Sequence, residues 1–382
     1  MNIQAGIYIH FPFCTTKCNY CGFYSIPNHP ERVSEYLTML EREMEIQAPL
    51  SQQFTMDTIF LGGGTPSLMT IEQLERIFSQ LHDNFTVSEH PEITLETNPT
   101  SISAHKAEQI FSTRINRLSL GCQSFDDTLL KTLGRNHKAY DNIKIYSLFR
   151  NAGFKNISID LIFSIPGQTM NQWIDSLSQT IALRPEHISL YCLSYEEGTQ
   201  FTRLIRTGKI TAVDEDTELQ MFRTCIDMLT DAGYVQYEIS NFALPGYQSR
   251  HNTLYWKNLP CIGLGTSAYS YVNGERYQTI PDVQQYCSML NTQKKEIHIN
   301  HEKLPDEMSL RETAALAVRL IHEGIDIEEL QKRYSTINVK KIIFPTIQKL
   351  IDENLLKEKE SNVYVLTAEG IRFADYIAEE LM

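Results

Sequence analysis

Basic charge is scarce in this sequence of 382 residues: 34 Lys and Arg stand against 47 Asp and Glu, a net charge of −13. Nucleic-acid-binding domains usually carry a basic face, so this balance argues against a general polyphosphate binder. Long apolar runs are missing too, and none approaches the roughly 20 residues that cross a membrane as a helix. Met1 to Ile9 has no basic region followed by an apolar core, so no secretory signal is expected. Paired cysteine spacing is absent outside one short stretch. Cys122, Cys192, Cys225, Cys261 and Cys287 are scattered, which suits a reducing cytoplasm, where lone cysteines act as small apolar residues. The remaining composition is that of a globular chain, with 42% hydrophobic and 21% charged residues, long enough for about two or three domains.

The other three cysteines sit together. Cys14, Cys18 and Cys21 fall within eight residues, spaced C-x3-C-x2-C, with no fourth nearby. Structural zinc closes a tetrahedron of four ligands, usually from two cysteine pairs. A four-iron cubane takes one thiolate per iron, so three thiolates leave one iron open. An open metal position is where a substrate or cofactor binds. The triplet suits a reactive cluster better than an inert staple, and a zinc knuckle is the alternative on spacing alone.

The first half of the chain alternates short β-rich runs with amphipathic stretches. Strands are expected at Ala5–His10, Asp57–Leu61, Glu92–Glu96, Asn116–Gly121, Asn156–Phe163 and His187–Leu193. Helices are expected at Glu31–Gln47, Ile71–His82 with Thr70 as N-cap, from about Ala104, at Asp126–Leu133, Tyr140–Ala152 and Asn171–Leu183. Such alternation implies a parallel sheet with right-handed crossovers. Six units suggest an incomplete TIM-like (β/α)6 barrel, and a doubly wound open sheet fits the pattern equally. A helix at Asp214–Ala232 follows. Tyr234–Phe242, Ser267–Val272 and Arg276–Ile280 read as antiparallel strands, the last two joined by the hairpin signal Asn273-Gly274. This core is expected over 1–290, a polar linker over 291–308, and a small α+β module over 309–382. The module reads as helices at Leu310–His322, Ile327–Arg333 and Asn338–Glu353, a hairpin at Leu356–Leu366 and a closing helix at Glu369–Glu380. That order is winged-helix-like. With Lys340 and Lys341 as its few basic residues, packing or partner docking is favoured over DNA.

Tyr8-Ile9-His10-Phe11-Pro12-Phe13-Cys14, running into Cys18, Tyr20 and Cys21, resembles the opening of a radical S-adenosylmethionine (SAM) protein. More narrowly it resembles the branch of coproporphyrinogen dehydrogenases and HemW haem chaperones. The resemblance implies a partial barrel, a 4Fe-4S cluster on the three cysteines and SAM chelated by the open iron. It also decides between the two sheet architectures. Gly62-Gly63-Gly64-Thr65-Pro66, after the second strand, is similar to the superfamily's SAM-binding glycine motif, whose free amides can meet the ligand's carboxylate. Tyr8, Tyr20, Glu96, Gln123, Arg135 and Asp160 match SAM contacts of the branch. Singly, each is more often a structural hydrogen-bonder. As a set they suit SAM, because carboxylates take its ammonium or hydroxyls and arginine takes its carboxylate.

The stretch Arg250-His251-Asn252-Thr253-Leu254-Tyr255-Trp256 contains H-N-x-x-Y-W. Histidine is a common axial ligand of haem iron, and aromatic rings can face a porphyrin. A lone His in an aromatic loop is usually a satisfied polar residue, but this motif resembles the HemW signature, which implies haem binding by His251 together with Asn252, Tyr255 and Trp256. Two departures separate the chain from the dehydrogenases: Phe23 stands where they carry a further cysteine, and their longer N-terminal extension is not seen. The leading expectation is a haem chaperone that passes haem to an acceptor protein. The alternative is oxygen-independent coproporphyrinogen III oxidation by radical decarboxylation. A cluster-sensing DNA regulator is the third reading. The acceptor and the electron donor are not identified by the sequence.

Overall fold

The computed structural model describes residues 3–100, 102–292 and 296–382. Six parallel strands form its centre: β1 (Ile3–Phe11), β2 (Phe54–Gly63), β3 (Val87–Thr97), β4 (Arg117–Gln123), β5 (Ile157–Phe163) and β6 (His187–Cys192). Helices return the chain between them: α1 (Pro30–Gln47), α2 (Ile71–Asn84), α3 (Ala104–Phe111), α4 (Asp127–Thr132), α5 (Ala139–Ala152) and α6 (Met170–Leu183). Each helix turns an apolar stripe to the sheet, as Val33, Tyr36, Leu37, Leu40 and Met44 do in α1. Thr70 caps α2 in a capping box with Gln73, an arrangement worth about 1 kcal/mol.

Beyond β6 the chain adds α7 (Gln200–Arg206), α8 (Glu215–Asp231) and an antiparallel pair, β7 (Val235–Glu238) and β8 (Asn241–Ala243). The single strand expected over Tyr234–Phe242 is therefore two, turned at Ile239–Ser240. A short helix, α9 (Arg250–Trp256), replaces the expected aromatic loop. Strand β9 (Cys261–Leu264) then runs parallel to β1 on its outer side, a seventh parallel strand that the pattern of six units did not disclose. It is followed by β10 (Tyr269–Val272) and β11 (Glu275–Thr279), whose hairpin turns on Asn273 and Gly274, both at positive φ as a type I′ turn requires. After α10 (Val283–Asn291), β12 (His298–Lys303) pairs with β11.

The expected polar linker is thus in part an edge strand. Most of its residues are exposed, so its composition imitates that of a connector. Residues 293–295 of the same span lie outside the described residues. The strands line up as β12-β11-β10-β9-β1-β2-β3-β4-β5-β6-β8-β7, an α/β sheet that curves without closing. The C-terminal segment packs a core of its own: α11 (Asp306–Ala317), α12 (Ile327–Arg333), α13 (Val339–Asp352), α14 (Ala374–Leu381) and a three-stranded sheet of β13 (Ile325–Asp326), β14 (Leu356–Glu360) and β15 (Val363–Leu366). The helix expected over Leu310–His322 stops at Ala317. Leu320 instead bridges Glu238, and the Ile321 amide donates to Tyr237 O at 3.1 Å, which fastens this segment to the edge of the large sheet.

Candidate functional site

The three cysteines lie where β1 leaves the barrel, at the C-terminal ends of the parallel strands, and all are half-buried. Their loop is held from several sides. The amides of Gly64 and Thr65 donate to Phe11 O and Phe13 O at 2.8 and 2.9 Å, and Thr65 Oγ1 donates to Cys14 Sγ at 3.6 Å. A Cβ on Gly64 would stand 2.7 Å from both of those carbonyl oxygens, so a bare backbone is needed for this approach. On the far side, the Asn19 amide donates to Leu133 O, Asn19 Nδ2 to Thr132 O, and the Phe201 amide to Asn19 O. A separate apolar cluster of Leu129, Leu133, Ile162, Leu193 and Phe201, with Tyr20 against it, underlies this loop.

The amides of the glycine loop are bonded within the chain: Gly64 and Thr65 to the cysteine loop, and Gly63 to the Glu96 carboxylate. The loop builds the seat for the thiols.

Arg135 joins the cysteines to the lumen. Its Nη1 donates to Cys18 Sγ at 3.5 Å and its Nη2 to Gly121 O at 2.7 Å, while its buried Nε has no partner among the described residues. Tyr20, half-buried, lies beside it, and desolvation pushes the phenol pKa up against the pull of the guanidinium. Gln123 adopts φ 67° at the end of β4, with its amide group next to Gly121. Tyr8 stacks on Phe60 and shares a hydrogen bond with His10 Nδ1 at 3.2 Å.

Glu96 and Asp160 are both half-buried at the lumen. Burial, and then the charge of Asp160, raise Glu96 to about 8. Burial also raises Asp160, against hydroxyl donors at 2.7 Å from Ser119 and 3.0 Å from Ser158. Two mutually repelling carboxyls in one lumen favour a ligand that brings positive charge.

Among the described residues, no three His, Cys, Asp or Glu groups converge closely enough to grip a single ion. A single zinc gathers its sulfurs about 2.3 Å from one centre. A multi-iron cluster sets each thiolate on its own iron. The donor set and the guanidinium N–H on a ligand sulfur fit the latter.

The lower end of the lumen is stopped by α9. Ser249 caps it through the Asn252 amide at 3.2 Å. The amides of Arg250 and His251 donate to the two oxygens of Glu92, both at 3.0 Å, and the Arg250 side chain pairs with Asp57. His251 enters the lumen and is 2% exposed. Its Nδ1 lies 2.7 Å from Thr58 Oγ1, its face stacks on Phe60 at 5.1 Å, and the Tyr255 ring meets it edge-on. Nε2 is buried with no hydrogen-bond partner among the described residues. Burial, with Arg117 adding, lowers the imidazole pKa to about 3, so it is neutral near pH 7. In the tautomer that donates from Nδ1 to Thr58, Nε2 presents a lone pair.

The motif is therefore divided. His251 faces inward, whereas Asn252, Tyr255 and Trp256 line a cavity of about 600 Å³ at the open side of the barrel. The sequence reading missed other residues of that cavity. Tyr191, at the end of β6, was open to the strand-end argument that found Glu96 and Gln123. Arg319 comes from the C-terminal segment and carries no local signal.

Residues 8–179 match the model of the radical SAM superfamily. The chain is 32% identical to the "Heme chaperone HemW" of Lactococcus lactis, covering 98% of this chain and 96% of that protein. It is 35% identical to the protein of the same name from Bacillus subtilis, over 95% of each. Among solved structures, the radical SAM enzyme coproporphyrinogen III oxidase (HemN) of Escherichia coli superposes with a TM-score of 0.86 at 21% identity, over 100% of this chain and 90% of that one. At that identity the likeness speaks for the fold. No helix among the described residues is long and apolar enough to cross a membrane.

Proposed function

The chain belongs to the HemW family of the radical SAM superfamily, and from that premise we propose that it is a haem chaperone. It binds haem and passes it to an acceptor protein, working in the cytoplasm. Cys14, Cys18 and Cys21 hold a 4Fe-4S cluster and SAM sits beside it. When bound, the cluster supplies an open iron and, once reduced by a donor, an electron.

The residues around it have separate tasks. Asp160 and Glu96 face an ammonium or hydroxyls together, Glu96 as a carboxyl raised to about 8 that keeps its proton near pH 7 until a cation displaces it. Arg135 offers its unpaired N–H to a carboxylate while its Nη1 bonds Cys18. Tyr8 and Tyr20 wall the site with rings, and Gln123 closes its edge. Gly64 and Thr65 keep the cysteine loop in register, and Gly63, bonded to Glu96, completes with them the glycine loop beside SAM.

One observation carries the haem reading: a neutral, buried imidazole whose Nε2 has no partner, on the same short helix as the ring of Tyr255. An unsatisfied buried nitrogen calls for an explanation, and a metal ion at the centre of an aromatic macrocycle supplies one. The test starts from anaerobic reconstitution with iron and sulfide, followed by haem titration of the wild type and His251→Gln. Haem affinity is expected to fall about tenfold or more in the variant, with the EPR response to SAM retained. Equal affinity and an unchanged haem spectrum would remove His251 from the account. Vinyl product from coproporphyrinogen III, reductant and SAM on the same sample would put the decarboxylase reading first.

A further inference from the structure

The cavity at the open side of the barrel has two makers. From the large sheet come Tyr191, Tyr269 and the α9 residues Tyr255 and Trp256; from the C-terminal segment comes Arg319. Its volume, about 600 Å³, lies within the roughly 300–1,000 Å³ usual for small-molecule and cofactor sites.

Two features mark it as built for a flat, anionic ligand. The first is unspent aromatic surface. Tyr191, Tyr255 and Tyr269 are 45%, 39% and 54% exposed, and all three line this one cavity. The second is unspent polar capacity. Trp256 Nε1 and Arg319 Nε, both donors, are buried without partners among the described residues, and both residues line the same cavity.

Charge is distributed unevenly on the walls. Arg276 is committed to Glu312 by two bonds of 2.6 and 3.1 Å. Arg319 lies over the Trp256 ring at 4.7 Å; its one salt bridge among the described residues is to Asp375, which is 90% exposed, a pairing worth little, and its charge also acts on the Glu238 carboxyl. The buried Glu238 carboxyl is already satisfied by the Ser240 amide and the Asn241 side chain. The next residue after Arg319, Leu320, bridges Glu238 on the sheet edge, so the guanidinium is held in place by backbone pairing.

We propose that this side cavity is where the tetrapyrrole is held, its ring against Tyr255, Trp256 and Tyr269 and a propionate on Arg319. The C-terminal segment is then one jaw of the cargo site. The inference rests on the haem-chaperone reading and adds the place and the anchor. Tyr255 separates this cavity from His251, touching both, so ligation of the iron by His251 requires that ring to turn aside.

The test uses the full chain and two probes: haem, and its dimethyl ester, in which both propionates are blocked. The wild type is expected to prefer haem. Arg319→Gln is expected to lower haem affinity about tenfold or more, the worth of one charge-assisted hydrogen bond, with ester affinity unchanged. Tyr269→Ala, at a half-exposed position, is expected to weaken both. If Arg319→Gln fails to fold, the comparison of probes on the wild type still decides, because equal affinity for haem and ester overturns the anchor. Undiminished haem binding in both variants places the cargo elsewhere and sinks the inference alone. No haem binding by the wild type sinks the chaperone reading, and the inference with it.

Discussion

The C-terminal mouth of the barrel and its open side are built on opposite plans. At the mouth the polar groups are largely committed: loop amides to carbonyls, Thr65 to Cys14, Arg135 to Cys18 and Gly121. At the side, three tyrosine rings keep exposed surface, and the N–H groups Trp256 Nε1 and Arg319 Nε are left without partners among the described residues. The contrast teaches that a site for a resident metal centre and a site for passing cargo need different preparation. The first fixes sulfurs through backbone bonds to several elements. The second keeps surface in reserve, which costs stability until the ligand arrives.

The sharpest way to break this comparison is to remove one thiol. Cys14→Ala, Cys18→Ala or Cys21→Ala is expected to abolish cluster iron, measured by iron and sulfide content, while haem affinity stays within about twofold, because the nearest haem-side groups share no ligand with the cluster. A parallel loss of haem binding would merge the two sites into one.

Next in size is Gly64→Ala. The added Cβ would press on Phe11 O and Phe13 O, 2.7 Å away. A loss of about 2–3 kcal/mol in unfolding free energy is expected, the upper part of the range for single substitutions. Reconstituted iron content should fall with it.

The pH dependence separates the mouth from the floor. Glu96 is raised to about 8 from an ordinary 4.5: the folded chain keeps a proton that the unfolded chain releases, so its contribution is full below 4.5 and is lost as pH rises through 8. His251 is lowered to about 3 from 6.5: its contribution is full above 6.5 and is lost as pH falls toward 3. Urea midpoints followed from pH 4 to 9 should therefore fall on both limbs, roughly from an optimum near pH 6. Glu96→Gln should flatten the alkaline limb and His251→Gln the acidic one. If either variant flattens the other limb, the assignment of charge to mouth and floor is wrong.

The smallest expected effect is Thr65→Val. Loss of one hydroxyl donor to Cys14 should change stability by less than about 1.5 kcal/mol and shift the cluster's midpoint potential slightly, with no change in haem titration.

The first half of the fold was legible because parallel strands buried on both faces read as apolar runs, and their crossover helices as amphipathic ones. Ile157–Phe163 and α1 are examples. Other elements were hidden for physical reasons. Helix α9 has seven residues, and the rings of Tyr255 and Trp256 dominate its composition. Strand β9 has only four residues, three of them apolar, between Pro260 and Gly265, too short a run to stand out. Strand β12 is an exposed edge, so its polar residues looked like a connector. In the site, the cysteine spacing and the strand-end carboxyls were visible as chemistry. The fate of the glycine-loop amides was not, since it depends on the return of Phe11 and Phe13 to the loop. Once α9 is known to be a helix, its spacing sets Asn252 and Trp256 about 100° round from His251 and Tyr255, and Tyr255 lies at the border, against His251 and on the side cavity at once.

His251 and Tyr255 are four residues apart on that helix and so share one face, and the helix is pinned at its start by Glu92. One ring thus borders two chambers: the Tyr255 ring meets the imidazole edge-on in the lumen and lines the flank cavity, so a group that pushes it from the flank also changes the wall against the histidine.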